Sequence, residues 1–308
     1  MKRKHYDIHK DFKKLSKTNP PINKYFAKII QFFSKPIFYR QKSKQCLVKR
    51  NYFIINGKKI KFLEYSPKGS DQNLPCLIYY HGGGFILPAA PYHYKNAERY
   101  AVACGCKVLV PDYPLAPKNK YPVPINVCFE FYKKVLSSAD DLNIDENKII
   151  VGGDSAGASL ALGVCMMASD FNVKVPLAEM LLYPVVGITE PTESMKQFDD
   201  TGMCNSKDFA KYCRLYFEND EDKHSRYASA YNQNLYKYPT TYIETTEFDC
   251  LRDDGIIFAE KLKESGVNVY TNHTKNTLHA YDMAKNSLIV EQSLSIRNNF
   301  LKEQFNKK

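Results

Sequence analysis

Residues 148–158 read Lys-Ile-Ile-Val-Gly-Gly-Asp-Ser-Ala-Gly-Ala, and the prediction of the fold starts from these residues. Its consecutive β-branched residues, Ile149 to Val151, predict a buried parallel strand. The run of small residues after Gly157, Ala-Ser-Leu-Ala-Leu-Gly-Val-Cys-Met-Met-Ala, predicts a buried helix. A sharp turn around Ser155 must join the strand to the helix.

The turn, Gly153-Asp-Ser-Ala-Gly157, fits the G-x-S-x-G pattern of a nucleophile elbow. Such a turn strains the backbone at Ser155, and side chains two positions on either side would collide, so glycine is expected at both. The following helix aims its positive N-terminal end at the serine, where an oxyanion would form. The pentapeptide alone also fits an ordinary turn, but the flanking strand and helix favour a nucleophile.

Strands and helices alternate along the rest of the chain, which predicts a mostly parallel α/β sheet with an antiparallel hairpin first. Asn56-Gly57 separates two alternating apolar and polar runs and is a strong hairpin signal. The predicted strands are 46–55, 58–66, 76–80, 107–111, 149–151, 178–183, 240–246 and 267–271. The predicted helices are 22–36, 92–104, 124–137, 207–217, 254–265 and 288–305.

Composition limits the class of protein. The chain has 308 residues and is 44% hydrophobic, enough for one large core. We find neither an apolar run of about 18 residues nor a secretory signal, so a cytoplasmic location is expected. The nine cysteines include no C-x-x-C pair, which predicts free, mostly buried thiols and no metal site.

The positive charge is concentrated near the N-terminus. Residues 1–50 contain 15 basic and two acidic residues, and the remainder contains 29 basic and 31 acidic residues. An apolar stripe formed by Tyr25, Phe26, Ile29, Ile30 and Phe33 runs along the predicted helix that ends at Pro36. Such a segment could meet an anionic membrane or nucleic acid, but a solvated lysine-rich arm is the more ordinary interpretation.

A serine nucleophile needs a base and an acid that orients the base, in the chain order Ser, Asp or Glu, His. His279, in a predicted loop over residues 276–281, is preferred as the base to His273 at the end of the last strand. Asp249, just beyond a strand, is preferred as the acid, with Asp253 and Glu247 as alternatives.

Developing negative charge on the substrate needs hydrogen-bond donors. His81-Gly-Gly-Gly84 follows a strand and supplies N–H groups that no Cβ obstructs, and Ala156 adds another. A flexible loop or a phosphate-binding turn is the alternative, but the G-x-x-x-x-G-K-[ST] pattern is missing. His81 itself is expected to position the loop.

These motifs together resemble the hormone-sensitive-lipase-like group of α/β-hydrolases, of the carboxylesterase and acetyl esterase type. The resemblance spans about residues 60–290. It implies the α/β-hydrolase fold, a mostly parallel eight-stranded sheet flanked by helices, with a helical cap. It also implies hydrolysis of short- to medium-chain carboxylic esters without a metal or organic cofactor. The motifs that carry it are His81-Gly-Gly-Gly-Phe85, Asp112-Tyr-Pro-Leu-Ala-Pro117, Gly153-Asp-Ser-Ala-Gly157, Asp249-Cys-Leu-Arg-Asp253 and Leu278-His279.

The resemblance assigns roles to the matching residues. Ser155 becomes the nucleophile, Asp249 the orienting acid and His279 the base. The implied oxyanion donors are Gly83, Gly84 and Ala156. Residues 1–45 and an insertion at about 187–238 are expected to form the cap on a catalytic domain of residues 46–308. We expect aromatic side chains to face the substrate, namely Phe85, Phe209 and Tyr212 at the pocket, with Phe26 and Phe33 at the entrance.

The sequence therefore predicts a serine esterase that forms an acyl-enzyme. An amide or peptide hydrolase with the same triad, or a non-catalytic small-molecule binder of the same fold, is the alternative. The expected partner is a small ester, without nucleic acid. Weak peripheral membrane contact through residues 1–45 and a homodimer are further hypotheses.

Overall fold

Eight strands form one sheet in the order β1-β2-β4-β3-β5-β6-β7-β8 in the computed structural model. The structure describes residues 4–70, 73–187, 191–230, 235 and 238–307. Strand β2 pairs antiparallel with β1 and β4, and all other neighbouring strands are parallel. The predicted eight-stranded, mostly parallel sheet is thus confirmed.

The strands and helices alternate along the chain as predicted. The strands are β1 (Cys46–Ile55), β2 (Lys58–Pro67), β3 (Leu74–Tyr80), β4 (Lys107–Pro111), β5 (Ile144–Asp154), β6 (Ala178–Leu182), β7 (Thr240–Phe248) and β8 (Val269–Leu278). The helices are α1 (Lys24–Tyr39), α2 (Pro91–Cys104), α3 (Val123–Ser137), α4 (Ala156–Asp170), α5 (Glu193–Gln197), α6 (Ser206–Tyr216), α7 (Arg252–Glu264) and α8 (Leu288–Phe305).

The sheet is buried on both faces, because helices cover each of them. Successive residues of a strand point to opposite faces, and in β5 the side chains of Ile149 and Val151 join one hydrophobic cluster while Ile150 joins the other. Residues of α3, α4 and α7 complete the first cluster, and residues of α2 and α8 complete the second. The strand that leads into Ser155 therefore lies at the centre of the core.

Strand β8 is longer than its sequence indicates. We predicted a strand over 267–271 and a loop over 276–281, but β8 continues to Leu278, so this prediction was wrong. Its polar residues pair with β7 as far as Thr274, and after an irregularity Leu278 pairs with Phe248. Backbone pairing with a buried neighbour stabilises the strand where the polar side chains alone would predict a loop. His279 consequently follows the end of β8 directly.

Helix α1 also extends further than predicted, since it continues through Pro36 to Tyr39. Proline removes one backbone donor and disfavours a helix interior. The last turn nevertheless holds, because Phe38 is buried against the second hydrophobic cluster and the N–H of Arg40 donates to Pro36 O.

Residues preceding β1 and residues between β6 and β7 lie over the carboxyl ends of the parallel strands. They include α1, α5 and α6, and the described residues of this second stretch contain no strand. Part of the predicted insertion, residues 188–190, 231–234 and 236–237, lies outside the described residues. Among the described residues, no helix combines the length and apolar content that crossing a bilayer requires.

Candidate active site

Ser155 lies between β5 and α4 with φ 53° and ψ −121°, a backbone conformation that side chains rarely adopt. The tight turn explains the flanking glycines. A Cβ on Gly157 would lie 2.0 Å from the carbonyl oxygen of Tyr80, and a Cβ on Gly153 would lie 2.3 Å from the same atom. The turn thus holds the serine hydroxyl at the N-terminus of α4.

Three side chains meet at this turn. His279 Nε2 lies 2.8 Å from Ser155 Oγ, and His279 Nδ1 lies 2.7 Å from Asp249 Oδ2. When the imidazole is neutral, Nδ1–H donates to the carboxylate and Nε2 accepts from the hydroxyl. The carboxylate also accepts from Thr246 Oγ1 and from the N–H of Leu251, which fixes its orientation. This arrangement can remove a proton from the serine.

The alternative acids and the alternative base have other partners. Glu247 accepts from the N–H of Asn276, and Asp253 accepts from Arg252 Nε and from the N–H of Ser194. The ring of His273, within β8, contacts Thr245 Oγ1 at 2.9 Å. Of these candidates, the structure brings only Asp249 and His279 together with the serine.

Two opposing effects act on the pKa of His279. Burial alone lowers the pKa of His279, but the Asp249 carboxylate outweighs burial and raises the pKa from 6.5 to about 9. The site therefore stabilises an imidazolium. That preference suits a group that must accept a proton while charge develops on the substrate.

The glycine loop after β3 faces the turn. Gly83 has φ 118° and Gly84 has φ 60°, and a Cβ on Gly84 would lie 2.2 Å from Tyr212 Cδ1. Within the part of the chain that the structure describes, the N–H groups of Gly83 and Gly84 have no acceptor in the protein. Ala156 begins α4, where the first N–H groups have no intrahelical acceptor. These three groups are available to an oxyanion.

A cavity of about 360 Å³ opens beside Ser155 and His279. Its wall is mostly apolar and includes Phe85, Phe209 and Tyr212, the three predicted substrate contacts. The ring of Phe85 stacks face to face on Tyr216 at 3.8 Å and is nearly buried. Such a cavity can hold a small apolar molecule next to the serine.

Helix α1 contributes to the cavity through Ile30, Ser34 and Ile37. We predicted that Phe26 and Phe33 would face the entrance, and this prediction was wrong, because neither forms part of the cavity wall and Phe33 is exposed. The prediction failed because the apolar residues of α1 lie on both its protein-facing and its solvent-facing side.

A family model described as alpha/beta hydrolase fold matches residues 77–283, which is more than half of the chain. The chain belongs to the α/β-hydrolase family. The match covers the glycine loop, the turn at Ser155 and the residue His279.

Several named relatives of this α/β-hydrolase are esterases. An acetyl esterase of Salmonella paratyphi A is 30% identical over 70% of this chain and 68% of its own length. The carboxylesterase NlhH of Mycobacterium tuberculosis is 30% identical over 70% and 69%. The solved structure of an esterase from Pyrobaculum calidifontis is 26% identical, with a TM-score of 0.87 over 96% of this chain and 98% of that one. The predicted carboxylesterase and acetyl esterase type is confirmed.

Asp154 is a site residue of this hydrolase that sequence analysis missed. The buried carboxylate accepts from the N–H of Gly82 at 3.0 Å, and from Tyr79, Tyr92 and His93 at 2.8, 2.9 and 3.1 Å. Burial alone would raise its pKa, but His93 and the hydrogen bonds hold the pKa below its usual range. The carboxylate thereby ties the glycine loop to the turn that carries Ser155. Its position within the elbow pentapeptide was the only available signal.

Replacing Asp154 with alanine is expected to lower the free energy of unfolding by about 3 kcal/mol, because buried donors lose their acceptor. The milder Asp154→Asn change should lower kcat about tenfold or more, because the loop that carries donors for the oxyanion loses a charged anchor. Urea unfolding and ester hydrolysis measure the two effects.

Asp170 offers a matched control for Asp154. It is a partly exposed carboxylate paired with Arg226, so Asp170→Ala should cost less than about 1 kcal/mol and leave kcat unchanged. If the folded Asp154→Asn protein keeps full activity, the carboxylate does not position the glycine loop.

Tyr183 is a second residue that the sequence did not reveal. Its ring packs edge-on against the imidazole of His279, with the ring centroids 4.9 Å apart. Its hydroxyl donates to Asp282 Oδ1, and Asp282 Oδ2 accepts from buried Arg297 Nη1. This buried network holds the ring of Tyr183 against the imidazole of His279. Only the position of Tyr183 at the carboxyl end of β6 hinted at such a role.

Proposed function

We propose that this α/β-hydrolase is a serine carboxylic ester hydrolase acting through an acyl-enzyme. The protein is an ester-bond hydrolase, as its named relatives support. The observation that carries the finer proposal is the continuous hydrogen-bonded array of Ser155, His279 and Asp249, with distances of 2.8 and 2.7 Å. This array has the parts needed to activate a serine hydroxyl.

In the first half of the reaction, Ser155 Oγ attacks the ester carbonyl carbon while His279 Nε2 takes the hydroxyl proton. The carbonyl oxygen becomes an oxyanion, and the N–H groups of Gly83, Gly84 and Ala156 donate to it. Collapse of this intermediate breaks the bond to the alcohol oxygen, which receives the proton from His279. The products of this half are an alcohol and an acylated serine.

In the second half, a water molecule attacks the acyl carbon and gives a proton to the neutral imidazole of His279. The same donors bind the second oxyanion. Collapse releases the carboxylic acid, and the proton returns from His279 to Ser155 Oγ. Asp249 keeps the imidazole in the required tautomer throughout and stabilises the imidazolium in each half.

The size and lining of the cavity support the proposed substrate class. Its volume of about 360 Å³ lies near the lower end of the range for small-molecule sites, roughly 300–1,000 Å³. Phe209 and Tyr212 of α6 and Ile30 of α1 contribute to a mostly apolar wall. These features support short- to medium-chain acyl esters, with the N-terminal segment and the region between β6 and β7 acting as the cap.

The test is a panel of p-nitrophenyl esters from acetate to palmitate, with p-nitroanilides of the same acyl groups. We expect turnover of the short esters at least about tenfold above the palmitate, because a long chain exceeds the cavity. A burst of p-nitrophenol equal to the enzyme concentration is expected where deacylation is slower than acylation.

A fluorophosphonate probe supplies an independent readout, since it reacts with an activated serine and the labelled peptide can be identified by mass spectrometry. We expect the label on Ser155. Faster cleavage of the anilides than of the esters would instead identify an amide hydrolase. Tight binding of a small ester without turnover and without labelling would identify a non-catalytic binder.

A further inference from the structure

Helix α1 has an inner face that is fixed to the protein. Ala27 and Phe38 are buried, and Gln31 Nε2 donates to the carbonyl oxygens of Ile86 and Ala116 at 2.7 Å each. These contacts fix the rotation of the helix about its axis. The opposite side must therefore face the solvent.

The outer face of α1 (Tyr25, Ile29, Phe32 and Phe33) is apolar although it faces the solvent. These side chains are 67, 53, 65 and 69% exposed, respectively. Their spacing of four, three and one residues places them on one side of a helix. A solvent-facing helix surface normally carries polar residues, and a contiguous exposed apolar patch marks an interaction site.

Basic residues border this apolar face. Lys24 and Lys28 lie one helical turn apart, and a shallow surface groove brings them and Lys118 beside Phe32. Helix α1 contains no acidic residue. The surrounding segment is basic as well, because residues 1–50 carry 15 basic and two acidic residues. A partner that binds this face must therefore offer an apolar region to the aromatic and aliphatic side chains and negative charge to the lysines.

We propose that the outer face of α1 docks this protein on an anionic lipid surface. Aromatic and aliphatic side chains of such a helix insert about 5–10 Å into the boundary between headgroups and acyl chains. The bordering lysines remain at the headgroup level, where each contributes attraction to anionic lipids. An apolar face edged by cations matches a lipid surface better than a protein surface, whose interface centre is depleted of lysine.

Docking would also bring the catalytic cavity close to the lipid. The inner face of α1 supplies Ile30, Ser34 and Ile37 to the cavity wall, so only the width of one helix, about 10 Å, separates the cavity from the bilayer. Esters that partition into the headgroup layer would reach the cavity by a short path. This consequence rests on the proposed function, whereas the docking itself does not.

The test is sedimentation of the full chain with two kinds of vesicle, phosphatidylcholine alone and phosphatidylcholine containing about 30% phosphatidylserine. We expect binding to the anionic vesicles at about 0.05 M salt, at least about tenfold stronger than to the neutral vesicles. Raising the salt to about 0.5 M should weaken binding to the anionic vesicles, because it screens the lysines. Because no ester is present, failure of docking is distinguishable from failure of the proposed function.

Two double variants test the face itself. We expect Ile29→Ser with Phe33→Ser, and separately Lys24→Gln with Lys28→Gln, each to weaken vesicle binding at least about tenfold. The control for the first is Leu288→Ser with Ile296→Ser, which removes exposed apolar side chains from α8. The control for the second is Lys263→Gln with Lys302→Gln, at exposed positions of α7 and α8. Both controls should bind within about twofold of the parent protein.

Absence of binding to anionic vesicles at low salt would overturn the proposal, as would full binding by the Ile29→Ser, Phe33→Ser variant. Light scattering without lipid supplies a third outcome. If the parent protein is a dimer that this variant dissociates, the outer face of α1 belongs to a second copy of the chain and the lipid assignment is wrong.

Discussion

Replacing Ser155 with alanine is expected to lower kcat for ester hydrolysis by about 10⁶-fold. Ser155 carries the hydroxyl proposed to attack the ester, with His279 Nε2 2.8 Å away. The remaining rate would come from the oxyanion donors and substrate binding, which still favour attack by water. A p-nitrophenyl butyrate assay at high enzyme concentration measures the residual activity.

Ser159→Ala is the matched control, because Ser159 lies one turn further along α4, is buried, and is not part of the cavity wall. It should keep kcat within about twofold. Thermal unfolding of both variants should match the parent protein, since alanine accepts the turn backbone about as well as serine. Activity that persists in pure, folded Ser155→Ala protein, together with retained fluorophosphonate labelling, would identify another nucleophile.

The elbow was predictable because its constraints are local. The strand, the turn and the helix are adjacent in the sequence, and the close contacts of Gly153 and Gly157 with the Tyr80 carbonyl explain the glycines. The chain order of serine, acid and base also reduced the candidates to a few. The choice of His279 over His273 depended on the expected position of each relative to the last strand.

The length of β8 was not predictable, because a partner strand determines it. Asn272 has a low preference for a strand, yet β7 supplies its pairing partner, Glu244. The role of Asp154 was hidden for the same reason, since its partners Tyr79 and His93 come from β3 and α2. Contacts between distant segments leave no local pattern.

The outer face of α1 illustrates a third limit. An apolar stripe indicates that a helix has an apolar side, but it does not reveal what covers that side. We expected two residues of this stripe, Phe26 and Phe33, to face the cavity entrance. The structure turns Phe33 outwards together with Tyr25 and Ile29, because Gln31 and Phe38 hold the opposite side of the helix against the protein.

Replacing Asp249 with asparagine is expected to lower kcat by about 10⁴-fold and to change its pH dependence. The amide can donate to His279 Nδ1 and so favour the tautomer in which Nε2 carries the proton and cannot accept one. The fold should persist, because the amide oxygen can still accept from Thr246 or from the N–H of Leu251.

The pH dependence follows from the charge of the base, which must be neutral to act. The pKa of His279 is raised to about 9, so kcat/KM of the parent protein should rise with pH up to about that value. In Asp249→Asn the carboxylate is gone and burial remains, so the pKa of His279 should fall well below about 9. The rising part of the pH profile of kcat/KM, its ascending limb, should move to lower pH by two or more pH units. The shift is expected because the carboxylate no longer stabilises the protonated imidazole.

Stability gives a readout that does not depend on turnover. The folded-state pKa of His279, about 9, lies above the unfolded value of 6.5, so the native state binds the proton more tightly. The associated stabilisation, about 3 kcal/mol, is fully present below pH 6.5 and is lost as pH rises through about 9. Urea unfolding across this range should show the loss in the parent protein, and Asp249→Asn should lack it.

Asp253→Asn and Glu247→Gln are the matched controls, because both carboxylates lie in the same segment and were the alternative acids. Each has other partners, Arg252 for Asp253 and the N–H of Asn276 for Glu247. Both variants should keep the ascending limb of kcat/KM near the parent value. If either control variant shifts the ascending limb to lower pH while Asp249→Asn leaves it in place, then Asp249 is not the carboxylate that stabilises the imidazolium.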